Sequence, residues 1–263
     1  MPLFMIAKQC AFALCLILLA GVFVAAQAGE TVTYKDGNQT LSGFWAHSQC
    51  RGMPRATVLV VHQWKGLGQH EKEHADMLAK ECYNAFAVDM YGENIRPKTD
   101  EEAAKEAGKY KSDPVLARHR MQVALDFVKT QPDVLPGRIA AIGYCFGGMM
   151  ALELARSGAD IGAVVSFHGS LGTQKKAGSG EIKAKIMAHH GDADPYVNAQ
   201  EVADFEDEMR SAKADWQLLR YADAVHAFTD RGVGTDPSKG VAYNEKADRR
   251  SWAYTLDFLQ QVF

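Results

Sequence analysis

The chain has 263 residues, 47% apolar and 23% charged, with a formal net charge of −3. These values exclude a disordered, collagenous or disulfide-scaffolded chain. With 29 basic against 32 acidic residues there is no excess to mark nucleic acid as a partner.

Lys8 precedes an uncharged run from Ala11 to Ala26, and Ala26-Gln27-Ala28 places small residues at both decisive positions. A basic start, a short apolar core and a small-x-small site are the parts of a secretory signal peptide. The run is shorter than the roughly 20 residues that a bilayer span needs. Residues 1–28 are therefore expected to be removed, leaving 29–263 as one domain of 235 residues and formal charge −4, periplasmic or secreted and free of the membrane. Cys10 and Cys15 leave with the signal, and Cys50, Cys82 and Cys145 remain. Three thiols in an oxidising compartment leave at least one without a partner in the chain. A Cys50–Cys82 disulfide stays open, because it depends on a Cα separation that sequence does not supply.

In chain order, Thr31–Tyr34 and Thr40–His47 flank the turn Asp36-Gly37-Asn38, which predicts an antiparallel hairpin. From Thr57 onward strands alternate with helices. The strands are Thr57–Val61, Ala85–Asp89, Ile139–Gly143, Ala163–His168, Lys185–His190 and Trp216–Tyr221. The helices are Glu71–Cys82, Glu101–Tyr110, Pro114–Lys129, Gly147–Arg156, Ala199–Ala212 and Asn244–Val262, the last with Trp252, Leu256, Leu259 and Val262 on one face. Several strands are nearly all apolar, as strands buried on both faces must be. The pattern predicts an α/β protein: a doubly wound, mostly parallel sheet with an N-terminal antiparallel hairpin.

The most informative stretch is Ile139-Ala-Ala-Ile-Gly143-Tyr144-Cys145-Phe146-Gly147-Gly148. A buried strand ends in Gly-x-Cys-x-Gly-Gly and a helix begins at once, the nucleophile elbow of α/β hydrolases with Cys in place of Ser. A nucleophile on so tight a turn needs small residues two positions away on each side, and Gly143 and Gly147 provide them. The helix start also points N–H groups at the site, where they lower a thiol pKa and bind an oxyanion. A dinucleotide-binding turn would need Gly where Cys145 stands. The partners follow in the order acid, then base. Asp192 and Asp194 both lie on the loop after Lys185–His190, and Asp194 is the preferred acid. His226, after Trp216–Tyr221, is the last His of the chain and the expected base.

Gly-Tyr-Cys-Phe-Gly-Gly, Gly191-x-x-Asp194-x-x-Val197 and His226-Ala-Phe228 together resemble the dienelactone hydrolase family of α/β hydrolases. Val60-Val-His-Gln63-Trp64-Lys-Gly66 and Ala87-Val-Asp89-Met-Tyr-Gly92 are similar to its segments after two earlier strands. The resemblance implies hydrolysis of a lactone or ester through a cysteinyl acyl-enzyme, with no cofactor; a small-molecule ester, lactone or thioester is the expected substrate, no metal is expected, and the protein is expected to be a monomer. The resemblance also implies an oxyanion hole from the backbone N–H groups of Phe146 and Trp64. Two departures bear on substrate. Family members that open dienelactone carry a Glu where this chain has Gln63, and Gln cannot take up a proton. They also hold the substrate carboxylate with two arginines. One falls where Asp230 and Arg231 stand; for the other Arg96 is the nearest candidate. An acid there repels an anionic substrate, which argues against dienelactone itself.

Three other readings compete. His70-Glu71-Lys72-Glu73-His74 matches the H-E-x-x-H of zinc hydrolases, but it opens a helix and lacks the G-x-x-H continuation. A second reading keeps the scaffold as a non-catalytic binding protein. A third makes Cys145 a redox-sensing thiol. His189-His190 reads as strand-end packing, Met149-Met150 as core, and Trp45, Trp64, Phe146 and Tyr196 as possible pocket lining.

Overall fold

In the computed structural model, residues 29–52 and 54–263 are described, and the expected signal segment at 1–28 lies outside them. The hairpin pairs β1 (Glu30–Asp36) with β2 (Gln39–Ala46) antiparallel, closed by the two-residue turn Gly37-Asn38. Gly37 takes φ +55, which glycine adopts without steric cost. β2 then runs antiparallel to β4 (Asn84–Val88). All further neighbours are parallel: β3 (Thr57–Val61), β5 (Ile139–Tyr144), β6 (Ala163–Phe167), β7 (Lys185–Gly191) and β8 (Trp216–Tyr221). The strand order β1-β2-β4-β3-β5-β6-β7-β8 gives one eight-stranded sheet, as the sequence predicts.

Because successive strand residues face opposite ways, each central strand divides its side chains between two cores. Leu59, Val61, Ile139 and Ala141 face α3 (Pro114–Lys129), α4 (Phe146–Arg156) and α5 (Ala199–Ala212). Val58, Val60, Ala140 and Ile142 face α1 (Gln69–Lys80) and α6 (Glu245–Val262). α2 (Asp100–Lys111) packs Ala107 and Tyr110 onto the first core. α4 is buried along its whole length, charged residues included. Its Arg156 is satisfied by Glu208 of α5 at 2.8 and 3.0 Å and by Glu153 at 3.1 Å, so the helix behind the elbow is fixed by buried, paired charge.

Both ends of α1 and the buried face of α6 differ from expectation for local reasons. α1 spans Gln69–Lys80 rather than Glu71–Cys82: Glu71 folds back to accept the Gly68 N–H, so the helix starts earlier. At its other end Cys82 leaves the helix at φ 71 to bond Cys50, with Cα atoms 5.1 Å apart. α6 turns Ser251, Thr255, Phe258 and Leu259 inward, while Trp252, Leu256 and Val262 sit at the margin of the core. The rotation has a polar cause: buried His189 needs partners, and finds the Thr255 hydroxyl at 3.0 Å and the Tyr221 hydroxyl at 2.9 Å.

Candidate active site

Cys145 stands between β5 and α4 at φ 54, ψ −114, an unusual conformation for a residue with a Cβ. The turn is tight enough to forbid side chains on either flank. A Cβ on Gly143 would lie 2.0 Å from the Gly147 carbonyl oxygen, and one on Gly147 would lie 2.2 Å from that of Val61. The second distance matters beyond the turn, because it lets α4 press directly on the chain leaving β3. The cysteine that results is half-buried on a buried support.

A line of hydrogen bonds runs away from that sulfur. His226 Nε2 lies 3.0 Å from Cys145 Sγ, and His226 Nδ1 lies 2.8 Å from Asp194 Oδ2. The Asp194 carboxylate is fully buried, and its other oxygen accepts the Tyr196 N–H at 2.8 Å. Burial by itself would lower the His226 pKa. The Asp194 hydrogen bond and the sulfur outweigh it and hold the imidazole up to about 10. Burial likewise opposes a thiolate, but the hydrogen bond and charge of His226, then the Lys111 charge and the Phe146 N–H, bring Cys145 below an ordinary thiol. The pair therefore favours thiolate and imidazolium together. Asp192 is elsewhere, on the surface with Arg220.

The loop after β3 crosses the front of the elbow. His62 stacks on the Phe146 ring at 5.7 Å, and the Trp64 carbonyl accepts the Tyr91 hydroxyl at 2.8 Å. Gln63 and Asp230, 167 residues apart, are partners: Gln63 Nε2 donates to Asp230 Oδ2 at 2.8 Å. The two departures noted in the sequence are thus one linked pair. Arg96 is spent elsewhere. Its guanidinium contacts buried Asp89 at 3.3 Å and donates to the carbonyls of Gly92 and Ile95.

Two neighbours were not singled out by sequence. His168 is fully buried at φ 41, donates or accepts at the Thr229 hydroxyl 2.8 Å away, and meets the His226 ring edge-on at 5.4 Å. It braces the loop that carries both His226 and Asp230. Tyr196, named only as possible lining, is 59% exposed and lies 5.3 Å from the His226 ring. An open cleft of about 430 Å³ is lined by Lys111, Met149, Leu171 and Phe205, and none of Cys145, Asp194 or His226 lines it. Met150 is core, and so is Trp45, whose indole N–H is used by His47.

His70, Glu71 and His74 share the first turns of α1, with the two imidazole rings 4.3 Å apart and His70 Nδ1 3.3 Å from the Glu71 carboxylate. Glu71 accepts backbone N–H groups, and His74 Nδ1 bonds the His70 carbonyl at 2.8 Å. Among the described residues no group of three or more His, Cys, Asp or Glu is placed to hold a metal ion.

The sequence model of the dienelactone hydrolase family matches residues 41–263. The chain belongs to that family. It is 28% identical over 244 residues to a carboxymethylenebutenolidase of Pseudomonas sp. strain P51, covering 89% of this chain and 95% of that one. An uncharacterized Caenorhabditis elegans protein is 40% identical over 148 residues, covering 55% and 92%. Among solved structures, the dienelactone hydrolase-like promiscuous phosphotriesterase P91, from metagenomic libraries, superposes with a TM-score of 0.83 at 35% identity, covering 89% and 98%. This dienelactone hydrolase family member has the α/β-hydrolase fold and is a hydrolase by family.

Proposed function

We propose that the chain is an exported hydrolase of a small carboxylic ester, lactone or thioester that works through a cysteinyl acyl-enzyme. The observation that carries the reading is the line Cys145 Sγ, His226 Nε2, His226 Nδ1, Asp194 Oδ2, with bonds of 3.0 and 2.8 Å. The thiolate of Cys145 attacks the carbonyl carbon, and the former thiol proton is on His226 Nε2. The negative oxygen of the tetrahedral intermediate faces the N–H groups of Phe146 and Trp64. Collapse expels the alcohol or thiol, which takes the Nε2 proton, and leaves a thioester on Cys145. Water then attacks that thioester, gives its proton to His226, and the acid departs as the thiolate returns. Asp194 holds the imidazole in the orientation that both steps need.

The Gln63–Asp230 pair and the diversion of Arg96 to Asp89 support substrates that carry no anion at that flank, and so argue against dienelactone. Export rests on the N-terminal segment, and the Cys50–Cys82 disulfide agrees with an oxidising compartment. The test is turnover of a short-chain activated ester and of dienelactone by residues 29–263, beside the Cys145→Ala variant, with a phosphotriester added because of the likeness to P91. Ester turnover that vanishes in the variant is expected, with little or none on dienelactone. Turnover that survives removes Cys145 from the reaction.

A further inference from the structure

We infer that Glu71, the acid of the H-E-x-x-H segment, is the positioning residue of the oxyanion hole: its buried carboxylate clasps both ends of the loop that presents the Trp64 N–H. The inference rests on the acyl-transfer reading above and assigns that reading a residue well away from the Cys–His–Asp line.

Glu71 is 2% exposed. One carboxylate oxygen accepts the Gln63 N–H at 3.2 Å, and the other accepts the Gly68 N–H at 3.0 Å. The segment between those two donors is the crossing in front of the elbow, and Trp64 lies within it. The peptide joining Gln63 to Trp64 is planar and trans, so its carbonyl and its N–H point in opposite directions. The carbonyl end is fixed. The Gln63 oxygen accepts His62 Nδ1–H at 2.5 Å and the Gly66 N–H at 3.2 Å. Trp64 N–H is therefore aimed the other way, and it donates to no atom among the described residues. Its own carbonyl is held in turn by the Tyr91 hydroxyl. The Gln63 N–H, the Gln63 carbonyl and the Trp64 carbonyl around it are all tied down, while the Trp64 N–H has no partner among the described residues.

The two clamps are not equivalent. His62 and Tyr91 act at single points inside the loop. Glu71 acts across it, and two oxygens on one planar group set the spacing between Gln63 N and Gly68 N. A carboxylate is needed for this, since both oxygens must accept. Glutamine offers one acceptor and one NH2, and the NH2 meets a backbone N–H donor to donor. His70 Nδ1, 3.3 Å from the same carboxylate, offsets part of the cost of burying it. The resemblance of His70-Glu71-x-x-His74 to a metal motif thus has a different physical origin: an acid on the first turn of a helix, bonded to the loop that leads into it.

The experiment compares the parent with Glu71→Gln, Glu71→Asp and the exposed neighbour Glu73→Gln, each measured in two reactions. One is turnover of an activated ester and of its thionoester, whose C=S accepts hydrogen bonds poorly. The other is alkylation of Cys145 by iodoacetamide, which uses the thiolate but builds no oxyanion. Glu71→Gln is expected to lower kcat for the ester by about ten- to a hundredfold, with KM within about threefold, and to shrink the ester-to-thionoester ratio. Alkylation is expected to stay within about twofold of the parent, and Glu73→Gln to behave as the parent. If Glu71→Gln does not fold, Glu71→Asp decides, because it keeps the charge beside His70 but is too short to reach both donors. Unchanged ester turnover overturns the inference, and so does a parallel fall in turnover and alkylation, which would place the damage at the Cys–His pair. A parent protein that alkylates but turns over no ester sinks the acyl-transfer reading instead.

Discussion

Two buried imidazole–carboxylate pairs have been put to opposite uses. In one, His226 gives Nδ1 to Asp194 at 2.8 Å and has Nε2 left for the Cys145 sulfur at 3.0 Å. In the other, His70 sets Nδ1 beside Glu71 at 3.3 Å as an ion-pair contact, Nε2 meets no partner among the described residues, and the ring packs edge-on against Tyr144 at 4.7 Å. The functional groups are the same, an imidazole and a carboxylate. The difference is what the far nitrogen finds and where the acid spends its oxygens. Asp194 keeps one oxygen for its imidazole, whereas Glu71 gives both to backbone N–H groups of a loop. A His and an acid in contact therefore say little about chemistry until the second nitrogen is traced.

The sharpest way to break this contrast is to remove the sulfur. Cys145→Ala is expected to abolish ester turnover, by about a thousandfold or more, with the fold retained, as read by activated-ester assay and circular dichroism. Asp194→Asn comes next. It leaves the shape but not the orienting acceptor, and kcat is expected to fall by about a hundred- to ten-thousandfold. The same variant sharpens the electrostatic side. In the parent, the thiolate forms below the pH of an ordinary thiol and the imidazolium persists to about pH 10, so iodoacetamide alkylation should already be fast near neutrality. In Asp194→Asn the imidazolium loses its support, and the alkylation midpoint should move up toward about pH 8.5. Alkylation profiles that coincide would remove Asp194 from the pair.

The smallest expected effect is on the second pair. Burial pushes the Glu71 carboxyl up, but the His70 hydrogen bond and charge, His62 and the Gly68 N–H outweigh it and hold it at about 2. A group whose folded pKa is depressed contributes stability that is present above its unfolded pKa and is lost as pH falls toward the folded one. That window runs from roughly pH 4.5 down to about 2. His70→Gln should return the Glu71 carboxyl toward the ordinary range and cost on the order of 1–2 kcal/mol at neutral pH. Acid unfolding should begin up to about one pH unit higher, while ester turnover at pH 7 changes by less than about threefold. An unshifted acid limb in urea titrations would show that His70 does not support Glu71.

Much of this molecule could be read from residue order because its demands are local. The elbow leaves its trace in Gly143 and Gly147, since nothing larger fits within 2.2 Å of a carbonyl oxygen, and the two-core strands show as unbroken apolar runs. The order in which Cys145, Asp194 and His226 occur is enough to nominate them, and the fold brings the three together. What stayed hidden has no period or neighbour to betray it. Gln63 and Asp230 meet across 167 residues, and Glu71 is bound to backbone, which carries no side-chain signature. The rotation of α6 follows from the polar needs of His189 on another element, so an apolar stripe alone misplaces the face. Arg96 is near the site in sequence, yet Asp89 claims it first.

The Cys50–Cys82 bond has a consequence for how the chain reaches this state. Its covalent ring, with the two cysteines 32 positions apart, encloses β3 and α1, the central strand and the helix that follows it. In the unfolded chain that ring already holds close together two segments that must later pack, and the closure is worth about 3.7 kcal/mol of chain entropy. The strand at the middle of the sheet thus begins its search for partners from a shortened tether, and the oxidised chain has a head start in nucleating the βα unit on which the Trp64 loop is built.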